Sequence, residues 1–295
     1  MFSILILGKG YIGTHIYNYL SNFNSPLTFV NRESLDYSSE KELSKFLNYK
    51  KFDYVINCSG YTGIPNVDAC ETNKEDCYKY NVEIPLNIAK CCEYNKSKLI
   101  NISSGCIYTG YEKAFTEEDV PNFGFFNPSS SFYSKTKHIC ENNLKNFNSI
   151  TLRIRMPISN TNNRKNLIQK ILSYNKLIYL DNSATHLDDL SELIFKLINH
   201  RDIESIRGPL NAVNPGSINC KKISDLIVQS EYFSQLKSVP IWEFVDINDL
   251  DIKAGRSNCL LSDSKLQSFN LGLRPIDSIL KNTVEEVVKS NVQPI

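Results

Sequence analysis

The chain has 295 residues, 41% of them hydrophobic and 22% charged, with a formal net charge of +1. That length buries a sizeable core and accommodates a nucleotide domain with a smaller lobe. The near-neutral balance argues against nucleic acid or an anionic membrane as partner, and no run approaches the roughly 18 apolar residues of a membrane span.

Nine cysteines, an odd number with no CxxC pair, do not read as a disulfide framework or a zinc site. Reduced thiols, and a start without the features of a signal peptide, point to the cytoplasm.

The first predicted strand, residues 3–7, runs straight into Gly8-Lys9-Gly10-Tyr11-Ile12-Gly13. A GxGxxG turn between a strand and a helix is a dinucleotide signature. Gly8 permits the tight turn, Gly10 lets the backbone approach a pyrophosphate, and Gly13 allows close packing of helix on strand. Ile12, Ile16, Leu20 and Phe23 recur at helical spacing. A second strand, residues 27–30, ends at Asn31-Arg32-Glu33. An acidic residue at its tip would suit the ribose hydroxyls of NAD. Asn31 and Arg32 instead offer a donor and a cation for a 2′-phosphate, with Lys9 nearby, so NADPH is expected and NADH is the alternative.

Further strands are predicted at residues 54–58, 99–103, 150–155 and 209–213, with helices at 85–95, 132–147, 185–199 and 284–289. Asn214-Pro-Gly-Ser reads as a turn. Near-continuous apolar strands alternating with helices predict an α/β fold with a doubly wound parallel sheet. The expected division is a cofactor domain over residues 1–156 and mainly a substrate-binding lobe over 157–295. Sheet elements at about 186–213 return to the first domain.

Two segments carry chemistry. Ser104 ends the fourth strand, and Tyr133 and Lys137 lie four residues apart on one face of a helix. Hydride reduction of a ketone leaves negative charge on oxygen, which a phenol can protonate. Lys137 and an oxidised nicotinamide would both favour tyrosinate and bring the phenol down from its ordinary value of about 10. Ser104 would hold the ketone oxygen. In this order, Ser…Tyr-x-x-x-Lys resembles the triad of short-chain dehydrogenases.

A narrower resemblance rests on longer strings. These are Cys58-Ser-Gly-Tyr-Thr-Gly-Ile-Pro-Asn-Val-Asp68-Ala-Cys-Glu71, Gly105-Cys106-Ile107, Glu117-Glu-Asp-Val-Pro-Asn-Phe123, Ser131-Phe-Tyr-Ser-Lys-Thr-Lys137, Leu152-Arg-Ile-Arg-Met-Pro-Ile-Ser159, Ser173-Tyr-Asn-Lys-Leu177, Asn214-Pro-Gly216 and Arg256-Ser-Asn258. From Ile4 to about Leu280 the chain resembles the UDP-4-keto-6-deoxyglucose 3,5-epimerase/4-reductases that form the C-terminal half of plant UDP-rhamnose synthases. More distantly it resembles bacterial dTDP-4-dehydrorhamnose reductases.

The resemblance implies a UDP-linked 4-keto-6-deoxy sugar as substrate, supplied by a separate 4,6-dehydratase. Ser104 stands where the plant enzymes have Thr. Cys106 and Lys170 fall on the proposed epimerisation acid/base pair, able in principle to exchange the C3 and C5 protons beside the C4 ketone. Arg256 becomes a candidate for the substrate diphosphate, with Asn182 and Thr185 as further polar contacts. Thr62 and Asn66 would face cofactor or sugar, and Tyr11, Ile12, Ser59 and Gly60, with Tyr133 and Lys137 themselves, join the cofactor-binding set. By analogy with such folds, a homodimer is expected. Two alternatives stand beside the bifunctional reading: a reductase alone, acting on a dTDP- or UDP-linked 4-keto-rhamnose, and a non-catalytic dinucleotide-binding regulatory subunit.

Overall fold

The computed structural model describes residues 2–292. Six parallel strands form the central sheet: β1 (Ile4–Leu7), β2 (Leu27–Val30), β3 (Tyr54–Asn57), β4 (Lys98–Ser104), β5 (Ser149–Ile154) and β6 (Gly208–Asn211). Their order across the sheet is β6-β5-β4-β3-β1-β2. The order reverses beside β1, which pairs with β2 on one side and β3 on the other, Leu7 lying opposite both Val30 and Asn57. Ligands of open α/β sheets bind outside the carboxyl ends of the strands at such a reversal.

Alternate strand residues feed two cores, as the two-residue period of a strand requires. Ile4, Ile6, Ile100, Ile102 and Leu152 pack with Ile16 and Leu20 of α1 (Tyr11–Leu20), and with Leu190, Leu193, Ile194 and Leu197 of a helix spanning Leu187–Ile198. On the other face Leu5, Leu7, Val55 and Leu99 pack with α2 (Glu40–Lys50), α3 (Ile84–Tyr94) and α4 (Phe132–Leu144) through Leu43, Leu47, Ile88, Cys140 and Leu144. Burial on both faces explains why these strands read as continuous apolar runs.

A second, smaller set of elements comes from the chain after β5. It holds a three-stranded sheet of Pro157–Ile158, Asn182–His186 and Asn214–Ile218, with helices Leu167–Ser173, Cys220–Gln229 and Asp277–Lys289. Ile168, Ile171, Ile223, Ile227, Leu280 and Val284 form its core. Tyr11, at the start of α1, reaches this part of the chain through a 2.7 Å hydrogen bond between its hydroxyl and that of Ser159.

Several boundaries differ from those expected. Helix α4 ends at Leu144, and the helix expected from residue 185 begins at Leu187 because Asn182–His186 is a strand. That strand, Asn-Ser-Ala-Thr-His, has no apolar alternation to reveal it. The Asn214-Pro-Gly-Ser segment is also strand, antiparallel to Asn182–His186 with a shift of register. Gly216 takes φ +100° there. The turn-like residues mark a bulge within a strand instead of a reversal of the chain.

One buried ion pair joins the sheet to α4. Arg153 on β5 donates from Nε and Nη2 to the two carboxylate oxygens of Glu141 at 2.8 and 2.6 Å, and both side chains are 2% exposed. Removing one partner strands the other's charge in the interior. Glu141→Ala is therefore expected to lower unfolding stability by about 3–5 kcal/mol in urea titrations; a loss below about 1 kcal/mol would contradict a structural role for the pair.

Candidate active site

The turn after β1 is built for close approach. Gly8 takes φ +101°, and a Cβ there would come within 2.9 Å of the Ser59 backbone nitrogen. At Gly13 a Cβ would sit 2.1 Å from the Gly8 carbonyl oxygen, so only glycine lets α1 pack on the turn. At Gly10 a Cβ would meet nothing within 4 Å. No side chain caps the amino end of α1. Free amides at a helix start, with open space over Gly10, fit the pyrophosphate of a dinucleotide. The Lys9 and Arg32 side chains are exposed at the rim, Arg32 stacking 4.1 Å over the Tyr80 ring. Asn31 is engaged locally, its Oδ1 accepting from the Ser34 backbone at 3.1 Å and its amide donating to Glu33 at 3.2 Å. Of the other expected cofactor residues, Ile12 is half-buried, whereas the Tyr11 ring is buried and turned toward Ser159.

After β3 the chain passes Ser59 and Gly60. Ser59 donates to Asn57 Oδ1 at 2.5 Å. A Cβ on Gly60 would lie 3.5 Å from the Lys137 ammonium and 3.2 Å from Asn81 Oδ1, which places this turn directly against Lys137. Asn81 is wholly buried. It accepts from the Tyr61 backbone at 2.9 Å and donates back to the Tyr61 carbonyl at 2.8 Å, so it holds the turn.

Ser104, Tyr133 and Lys137 converge. Ser131 caps α4, its hydroxyl accepting from Ser134 N at 3.1 Å, and so sets the turn that carries Tyr133. The Lys137 ammonium stands 5.5 Å from the centre of the Tyr133 ring. All three residues are buried, at 6%, 9% and 7% exposure respectively. Burial, reinforced by the neighbouring Cys106 sulfur, pushes the Tyr133 phenol well above its ordinary value, against the Ser104 hydroxyl, which favours the ionised form. Burial also lowers the Lys137 ammonium, with Cys140, Cys77 and Cys106 opposing. Desolvation is thus the largest influence on the phenol.

Cys106 is half-buried two residues beyond Ser104, and its backbone nitrogen donates to the Ser104 hydroxyl at 3.2 Å. Its side-chain partner was not anticipated: Nη1 of Arg155, just past the end of β5, donates to the sulfur at 3.0 Å. The only cue was a second arginine in the apolar string that ends β5. Lys170 is half-buried on its helix, where burial and then Lys165 lower its pKa. No hydrogen bond or ion pair connects Lys170 to Cys106 among the described residues.

The expected substrate contacts divide. Thr62 is exposed and Asn66 half-buried beside the cofactor turn, Asn66 Oδ1 accepting from Asp68 N at 2.8 Å. Two of these positions are enclosed in the fold. Asn182 is buried, accepting from Arg155 Nη2 and donating to Asn258 at 3.0 Å. Thr185 is wholly buried, donating to the Ala212 carbonyl at 2.6 Å and accepting from Arg155 N at 3.1 Å. Their polar atoms are consumed inside the fold, so they support the pocket without facing it. Arg256 is partly exposed but already paired, donating to both carboxylate oxygens of Asp68 at 2.9 and 3.0 Å.

The structure thus sets a serine–tyrosine–lysine cluster beside the glycine turn at the reversal of a doubly wound parallel sheet. The chain belongs to the RmlD substrate binding domain family, whose model matches residues 2–287. It is 34% identical over 255 residues to a bifunctional dTDP-4-dehydrorhamnose 3,5-epimerase/dTDP-4-dehydrorhamnose reductase of Arabidopsis thaliana, covering 82% of this chain and 80% of that protein. It is 36% identical over 248 residues to the trifunctional UDP-glucose 4,6-dehydratase/UDP-4-keto-6-deoxy-D-glucose 3,5-epimerase/UDP-4-keto-L-rhamnose-reductase RHM3 of the same plant, covering 80% of this chain and 35% of that protein. The chain thus spans about a third of the length of such trifunctional relatives. Among solved structures, the L780 UDP-rhamnose synthase of Acanthamoeba polyphaga mimivirus superposes with a TM-score of 0.85 at 28% identity, over 97% of this chain and 99% of that one. A dTDP-4-dehydrorhamnose reductase of Bacillus anthracis, solved in complex with NADP, superposes with a TM-score of 0.80 at 18% identity, over 98% and 99%.

The lowered lysine predicts a measurable pH signature. A depressed folded-state pKa means that the unfolded chain binds more protons in the window up to lysine's ordinary value, so this group's contribution to stability rises with pH there. Lys137→Met removes that rise. The midpoint of the variant should equal or exceed that of the native protein near pH 7, and the difference should shrink as the pH approaches 10 in calorimetric scans. A variant markedly less stable at pH 7 would show that Lys137 is held by favourable contacts instead.

Proposed function

We propose that this protein is an NADPH-dependent 4-keto reductase acting on a nucleotide-linked 6-deoxy sugar, with a UDP-linked 4-keto-rhamnose as the favoured substrate. The observation that carries this reading is the convergence of the buried Ser104, Tyr133 and Lys137 against the turn at Gly60. The curated plant relatives bear the same reductase activity in their names, and the choice of NADPH is supported by Arg32 in place of an acidic residue at the tip of β2.

NADPH, when bound, supplies the hydride. The chain's residues do the rest. The Gly8–Gly13 turn and the amino end of α1 would hold the pyrophosphate, and Arg32 would pair with the 2′-phosphate. Lys137, beside Gly60, would hold the ribose. The Ser104 hydroxyl orients the ketone oxygen, and the Tyr133 hydroxyl gives its proton to that oxygen as the carbon becomes tetrahedral. Lys137 then compensates the tyrosinate left behind, which in a dry pocket is worth far more than in water. Acid–base assistance of this kind contributes about 10²–10⁴ in rate. The 4-keto group itself must come from a 4,6-dehydration performed elsewhere in the reaction sequence.

A second reading adds 3,5-epimerisation. The observation favouring it is Cys106, anchored through its backbone to the same Ser104 that orients the ketone. A base beside the carbonyl takes the proton from C3 or C5, the electron pair of that C–H bond enters the enolate, and a proton returned to the opposite face inverts the carbon. Lys170 has no contact with Cys106 that would make it the second partner, so the acid of that pair is unassigned.

Incubation with UDP-4-keto-6-deoxyglucose in deuterated water separates these readings. Deuterium at C3 and C5 without NADPH, followed by UDP-rhamnose when NADPH is added, is expected if both activities reside here. Reduction of a supplied 4-keto-rhamnose nucleotide without deuterium uptake leaves the reductase alone. Failure to oxidise NADPH with any 4-keto sugar nucleotide would overturn the proposal.

A further inference from the structure

Two arginines leave β5 two residues apart, and both are about 1% exposed. Arg153 has a carboxylate partner in Glu141. Arg155 has none. Nη1 of Arg155 donates to the Cys106 sulfur at 3.0 Å and to the Ser257 hydroxyl at 2.9 Å. Nη2 donates to Asn182 Oδ1 and to the Ser257 carbonyl, the latter at 3.1 Å. Nε is buried with no partner at all. Every acceptor but one is a neutral oxygen that can never carry charge. A guanidinium cannot shed its proton to escape burial, so an isolated one costs several kcal/mol. The contact with ionisable chemistry is the sulfur of Cys106, half-buried and beside the catalytic serine.

We propose that Arg155 is a positioning residue for Cys106: it fixes the sulfur beside Ser104 and supplies the positive charge against which that sulfur becomes an anionic base. The proposal deepens the second reading above, in which Cys106 moves a ring proton. It also explains the elaborate support of the guanidinium. Ser257 donates to the Tyr108 carbonyl at 2.5 Å, and Asn182 Oδ1 accepts a further hydrogen bond, from Cys259 N at 3.2 Å. These contacts hold the cation at one orientation without neutralising it, which leaves its charge for the sulfur.

The titratable groups that face Cys106 and Arg155 are Tyr133 and Lys137 from α4, Tyr111 from the strand Gly110–Phe115, and Cys259 from the strand Cys259–Leu261. Cys259 is the other thiol near Arg155, but it is wholly buried, and burial raises it. Lys137 also faces the sulfur. A negative sulfur would add to the burial that already holds the Tyr133 phenol up.

The test reads the thiol directly and needs no turnover. The rate of alkylation of each cysteine by iodoacetamide is followed by peptide mass spectrometry between pH 6 and 9. Cys220 serves as the internal reference, being equally half-buried but raised by burial to about 11. In the native protein Cys106 is expected to react at least about tenfold faster than Cys220 at pH 7, since reactivity follows the thiolate. Arg155→Met should slow Cys106 by about tenfold at pH 7 and move its rate profile to higher pH, while Arg155→Lys recovers most of the rate. A merely structural arginine would give the opposite result, with Met exposing Cys106, Cys259 and their neighbours to faster alkylation. Should Arg155→Met fail to fold, the native comparison decides: Cys106 reacting no faster than Cys220 overturns the proposal. A protein that reduces no 4-keto sugar yet keeps an arginine-dependent Cys106 would refute the function and leave this assignment standing.

Discussion

An ammonium buried without a carboxylate is the constraint on which this pocket depends. Lys137 is almost fully enclosed on α4, and its charge is opposed by desolvation. A fold keeps such a group only when the surrounding structure holds it there, and here the hold is visible. The Arg153–Glu141 pair clamps α4 to the sheet, Ser131 caps its first turn, and the Gly60 turn closes over the lysine with Asn81 bracing it. The enclosure that penalises the charge is what makes it effective on a phenol one helical turn away.

Topology then brings the reacting partners together. The sheet reverses its order beside β1, so the loops after β1 and β3 open into one crevice at the carboxyl ends of the strands. Gly8 and Ser59 meet there within the span of a missing side chain. Ser104 leaves β4 at the same edge, and α4 follows with Tyr133. The crevice and the serine–tyrosine–lysine cluster are therefore consequences of strand order, and the smaller set of elements is joined to the glycine turn by the Tyr11–Ser159 hydrogen bond.

Much of this was legible in the sequence, for physical reasons that can be named. Strands buried on both faces announce themselves as apolar runs, and a GxGxxG turn has little use outside close backbone approach. Tyr133 and Lys137 share a helix face by spacing alone. Less legible were elements whose residues serve two purposes. Helix α2 carried a readable start, Ser39 with Glu42 three residues on, and the Ser39 hydroxyl does accept from Glu42 N at 3.3 Å; its weak apolar pattern hid it. The strands Asn182–His186 and Asn214–Ile218 are short and polar because their side chains support the pocket from within. That same economy misled the reading of Asn182 and Thr185, whose polar atoms look available in the sequence and are spent on Arg155 and Ala212. Arg155 itself gave no periodic signal, because its meaning lies in the absence of a carboxylate, which only three dimensions reveal.

The account rests on Tyr133 giving its proton to the substrate oxygen inside the pocket. The most direct measurement is single-turnover hydride transfer by Tyr133→Phe, monitored by NADPH absorbance, alongside NADPH binding followed by its fluorescence. The account predicts unchanged cofactor affinity and a transfer rate lower by about 10²–10⁴. A variant that binds NADPH and transfers hydride at the native rate would contradict it.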